Sequence, residues 1–93
     1  MELNEKNREA LIIMQEECAE VIQSASKIMR FGLDSCYPTD DSASTKECLT
    51  MEVGQLLCMI DILLEQGILS EVAMMAAMEH KRIKLETWSS LYK

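Results

Sequence analysis

The chain has one proline and three glycines in 93 residues, and four aromatic side chains. So few breakers, in a chain this hydrophobic, favour packed helices over a sandwich or disorder. Basic residues are also scarce: nine Lys and Arg stand against sixteen Asp and Glu, a net charge of −7. That argues against non-specific nucleic-acid binding, which needs clustered positive charge. No apolar run approaches the ~18 residues of a membrane span. The N-terminus, Met1-Glu2-Leu3-Asn4-Glu5-Lys6, is too charged for a secretory signal, so a cytoplasmic protein is expected. Cys18, Cys36, Cys48 and Cys58 form no C-x-x-C pair, so zinc-ligand spacing is absent. They read as reduced thiols, three of them on helices; a disulfide between helices is the alternative.

What is present is apolar helix. Nearly half the residues are hydrophobic. A single domain over residues 1–93 is expected, and a core this small is often completed by oligomerisation. Helix 1 is expected from about Asn4 to Arg30, with Leu11, Met14, Cys18, Val21, Ala25 and Ile28 as its apolar stripe. Ile12, Ala19, Ile22 and Met29 widen that stripe. Glu16, Glu17, Glu20, Ser24 and Lys27 are expected on the other side, and Gly32 stops the helix. Phe31 to Asp41 reads as a loop, with Pro38, Asp34, Asp40 and Asp41 as turn residues. Ser44-Thr45-Lys46-Glu47 resembles a capping box, so helix 2 begins within a residue or two of Ser44 and runs to about Gln66. Ser70 is the expected N-cap of helix 3, which runs close to the C-terminus.

Each helix breaks its own pattern once. On helix 1, Glu16, Glu17 and Glu20 share one side and repel. A solvated face and a cation site both account for that. Helix 2 is apolar nearly all round, yet Glu52 lies among Leu49, Val53, Leu56 and Met59, with Gln55 beside it. A buried carboxylate needs a partner or a metal. On helix 3, Lys81 and Lys84 fall inside the series Met74, Ala77, Lys81, Lys84, Trp88, Leu91. Snorkelling accounts for the lysines singly. One polar site enclosed between helices accounts for all three breaks.

Glu16-Glu17-Cys18-Ala19-Glu20 followed by Glu52-Val53-Gly54-Gln55 resembles the E-E-x-x-E … E-x-x-D signature of the MazG-like all-α nucleoside triphosphate pyrophosphohydrolases. The flanks Lys27-Ile28-Met29-Arg30-Phe31-Gly32, Met59-Ile60-Asp61-Ile62-Leu63 and Lys81-Arg82-Ile83-Lys84 through Trp88 are similar too. The last two flanks look like the small single-domain members often found in phages, for which the compartment would be the host cytoplasm. The resemblance implies an all-α, three-helix chain that forms a helical bundle by oligomerisation, as a homodimer or homotetramer. It implies cleavage of a nucleoside triphosphate to the monophosphate and pyrophosphate, with Mg²⁺ as cofactor and Mn²⁺ as a substitute. Carried over, Glu17, Glu20 and Glu52 are metal ligands, with Gln55 at the fourth motif position. Glu16 and Glu17 are the catalytic acids, Glu16 helping to orient the water. Lys81 and Lys84, with Lys27 and Arg30, are the phosphate contacts. The signature's final Asp is Gln55 here, and Asp61 lies about 180° round the same helix from Glu52. Two other readings follow from the same residues: a nucleotide-binding regulatory protein without turnover, and a plain helical interaction module.

Overall fold

The computed structural model describes residues 2–36 and 43–93. They form three helices and, within those residues, no strand: α1 (Glu5–Phe31), α2 (Thr45–Glu65) and α3 (Glu71–Trp88). The turn expected around Pro38, Asp40 and Asp41 lies outside the described residues. None of the described helices is long and apolar enough to cross a membrane.

The helix ends follow from local chemistry. Asn4 caps α1: its side chain accepts from the Asn7 N–H at 2.8 Å, and the Asn7 side chain accepts from the Asn4 N–H at 3.1 Å. Two of the helix's orphan donors are thereby satisfied. Phe31 adds one residue to the expected helix, and Gly32 ends it at φ 87°, where a side chain would be strained. Ser44 caps α2 by accepting from the Glu47 N–H at 3.1 Å. Ser70 caps α3 in the same way, from Ala73 at 3.2 Å.

α1 and α2 pack as an antiparallel hairpin. At one end the Thr45 hydroxyl donates to the Gly32 carbonyl, and the Lys46 N–H reaches the Leu33 carbonyl at 3.0 Å. At the other the Asn7 amide donates to Gln66 Oε1 at 3.0 Å. The core between them is small: Ala10, Met59 and Leu63, with Leu11, Ile13, Met14, Ile62, Ile68 and Leu69 packed against it. Ala43 and Thr45 are buried at the loop end.

The buried line of α1 is the expected stripe turned slightly: Leu11, Met14, Cys18, Val21 and Ile28 are half-buried, Ala25 is exposed, and the most buried positions lie one residue to the N-terminal side. Asn7, Ala10 and Ser24 are buried; Met14, Glu17 and Val21 between them and Ile28 beyond Ser24 are half-buried. This is a 3-4 series, so it is one face, and it carries Glu17 and Ser24 into the seam rather than out to solvent. Ile12, Ala19, Ile22 and Met29 lie open on the far side. The apolar residues of α1 cover a broad arc, and the hydrophobic pattern alone does not fix which edge of that arc lies deepest against α2.

α3 leaves the hairpin almost untouched; only α1 and α2 pack extensively. No residue of α3 is buried. The molecule is a plate of 45 × 37 × 14 Å with a radius of gyration of 16.3 Å, against about 12 Å for a compact domain of this length. The enclosure of one site by all three helices, expected from the sequence, does not form within the single chain.

Candidate acid–amide site in the α1–α2 seam

Three side chains from two helices meet in the middle of the seam. Glu17 comes from α1, and Glu52 and Gln55 from α2. Both glutamates are half-buried; Gln55 is at the exposed edge. Glu52 thus sits on the inner side of α2, as its apolar neighbours require, but it keeps contact with solvent. The Gln55 amide is assigned with Nε2 toward the two carboxylate oxygens, because an amide oxygen there would face only acceptors. Its Nε2 donates to Glu17 Oε2 at 3.0 Å and to Glu52 Oε2 at 3.2 Å. One neutral amide therefore ties two like charges across the interface. Both amide hydrogens are used, and Oε1 keeps its acceptor capacity.

The other expected site residues lie around this cluster or apart from it. Glu16 and Glu20 are on α1 within a turn of Glu17 but exposed, and neither joins the hydrogen bonds of Gln55. The three acids of the motif are thus not equivalent: one faces the seam and two face water. Lys27 is half-buried further along α1. Arg30 is exposed, with its guanidinium 5.0 Å from the centre of the Phe31 ring, a cation–π contact at the end of the helix. Lys81 and Lys84 are both exposed on α3. Lys81 lines a shallow groove of about 510 Å³ with Met74, Ala77, Met78, Arg82 and Tyr92. That groove is separate from the seam, so the chain alone does not bring these lysines to the carboxylates.

Among the described residues no three of His, Cys, Asp and Glu lie close enough together to hold a metal ion. The seam offers two carboxylates and, if the amide turns over, one amide oxygen. These are all hard oxygen donors. Mg²⁺ is commonly held by one or two carboxylates, with water and substrate phosphate oxygens completing an octahedron. The donor set fits such an ion, with fewer protein charges than three acids would supply. All four cysteines are free, and thiolates are not among the donors.

A second cleft, of about 250 Å³, lies where α1 begins and α2 ends. Ala10, Ile13, Met59 and Ile62 form its floor and Lys6 and Glu9 its rim. Sequence reasoning missed Asn7, which anchors that end by bonding Gln66 across the hairpin. The signal was available: Asn4 and Asn7 have the spacing of a reciprocal cap.

No known protein family, curated protein or solved structure matches this chain.

Proposed function

We propose that the chain is a Mg²⁺-dependent nucleoside triphosphate pyrophosphohydrolase that works as a homo-oligomer. The observation that carries this reading is the convergence of Glu17, Glu52 and Gln55 from two helices at one point of the seam. Residues far apart in sequence meet there, two of them as carboxylates and Gln55 with an amide oxygen to offer once the amide turns over, at the positions that the motif resemblance assigns to metal binding. Glu17 and Glu52 hold the ion, and Gln55 adds a neutral ligand. A bound Mg²⁺ supplies positive charge to phosphate oxygens and lowers the pKa of the attacking water. Glu16 and Glu20, exposed beside Glu17, face the solvent from which that water comes. Lys81 and Lys84, with Lys27 and Arg30, supply point charge to the departing pyrophosphate. The substrate bridges what the single chain leaves apart, the acids of the hairpin and the lysines of α3. A second copy, in a homodimer or homotetramer, is the partner proposed to bring them together.

Incubating the protein with each ribo- and deoxyribonucleoside triphosphate, with and without Mg²⁺, and measuring pyrophosphate tests this directly. Pyrophosphate formed only with Mg²⁺ is the expected result. No pyrophosphate from any triphosphate overturns it. The hold of Gln55 on both carboxylates favours one other reading, a nucleotide-binding regulatory protein with weak or no turnover. Thermal stabilisation by a triphosphate without hydrolysis is its signature.

A further inference from the structure

We propose that the Gln55 amide is a positioning group that stands in for a cation between Glu17 and Glu52. The seam then closes without metal, and an ion enters only as the amide gives up its two hydrogen bonds. The geometry that carries this is the end of the Gln55 amide set between one carboxylate oxygen from each helix; both neighbours are acceptors, which assigns the nitrogen to that side, 3.0 Å from Glu17 and 3.2 Å from Glu52. Two carboxylates facing each other across a partly buried interface repel, and the repulsion grows as water is excluded. A group between them must offer positive character to both. A primary amide does so with its two N–H bonds and no net charge. A carboxylate at the same position could only accept, and would add a third negative charge.

The amide has a second use that a carboxylate lacks. Rotated by half a turn about its terminal bond, it presents Oε1 where Nε2 was. It donates to the acids when the site is empty and offers an oxygen when a cation is present. An aspartate would suit only the occupied state. Gln55 therefore lets the α1–α2 hairpin close without a divalent cation, and any ion must compete with two existing hydrogen bonds. Its exposed position lets the side chain swing out without disturbing the core of Ala10, Met59 and Leu63.

The cation-free half of this proposal stands apart from the proposed activity; the displacement half rests on it. Thermal unfolding of wild type, Gln55→Asp and Gln55→Leu, at one protein concentration, in EDTA and in millimolar Mg²⁺, tests both. In EDTA, Gln55→Asp should unfold roughly 4–8 °C below wild type. Gln55→Leu, which loses the donors but adds no charge, should fall by less. Adding Glu17→Gln to Gln55→Asp should restore most of the loss in EDTA, because the coupling is between those two groups. Mg²⁺ should raise Gln55→Asp by more than it raises wild type. Wild-type stability of Gln55→Asp in EDTA overturns the stand-in role, as does a double variant no better than the single one. A loss in EDTA that Mg²⁺ does not reverse overturns the displacement half. Hydrolysis measured on the same wild-type sample keeps the two questions distinct. Absent turnover with the expected EDTA pattern defeats the proposed activity and leaves the amide's role intact.

Discussion

At the scale of the residue, the seam holds two kinds of commitment. Leu63 is fully buried and is the centre of the small core. Leu63→Ala should cost about 2–5 kcal/mol, since the cavity cannot collapse without moving both helices. In a chain this short that is a large part of the total stability. Urea unfolding would show it as a lower midpoint at unchanged slope. Glu52 is the opposite case. It is half-buried beside Glu17 and bridged by Gln55. Glu52→Gln keeps the shape and removes one of two facing charges, so the fold should be as stable as wild type or more so. Mg²⁺-dependent hydrolysis should fall by more than about 100-fold, beyond the loss typical of a group outside the metal's own ligands. Unfolding of the variant, with wild type indifferent to Mg²⁺, would mark Glu52 as a structural partner instead. The misfit of Glu52 on an apolar face was legible in the sequence, because period and burial are linked. The meeting of Glu52 with Glu17 was not, because a rotation of α1 by less than one residue, which the broad apolar arc leaves open, decides whether Glu17 lies in the seam or beside it.

At the scale of the element, the three helices were readable to within a residue or so at nearly every end. Asn4, Ser44 and Ser70 cap them by side-chain oxygens accepting from backbone N–H groups, a local chemistry that needs no tertiary information. What each helix packs against is not local. α3 carries Met74, Ala77, Lys81, Lys84 and Trp88 of the expected series and ends before Leu91, and Trp88 is 83% exposed and Leu91 70%. An amphipathic pattern states that a face wants a partner and not where the partner is. The lysines of α3 separate two roles. Met keeps most of the lysine stem, so Lys84→Met should leave the unfolding temperature unchanged while weakening triphosphate binding several-fold. Calorimetric titration of the nucleotide into both proteins measures it. Wild-type affinity in both Lys81→Met and Lys84→Met would return both to simple surface lysines.

At the scale of the molecule, a plate 14 Å thick is one layer of helices, and one layer cannot bury both of its faces. The chain exposes 7350 Å², against roughly 5,500 Å² for a compact protein of its mass. The excess, roughly 1,900 Å², is larger than the roughly 800 Å² that each partner buries in a standard interface. Ile22, Met29, Met51 and Leu57 are among the large apolar side chains left open. A homo-oligomer with α2 at its centre is therefore expected, and light scattering at micromolar concentration should give at least twice the chain mass. Gly54 sharpens the test. It lies in the middle of α2, where glycine costs about 1 kcal/mol relative to alanine. Within the chain nothing approaches the space its side chain would fill to within 4 Å. Intramolecular packing thus gives no reason for glycine, and in a lone chain Gly54→Ala should stabilise. Met51 and Leu57 flank Gly54 at helical spacing, so a partner helix lying on that face would approach the backbone closely at this point. In that arrangement Gly54→Leu should lower the mass toward that of one chain or raise the concentration needed for assembly, while the helical content of the hairpin persists. An unchanged mass for Gly54→Leu would remove α2 from the centre of the assembly and leave the open faces of α1 and α3 to form it.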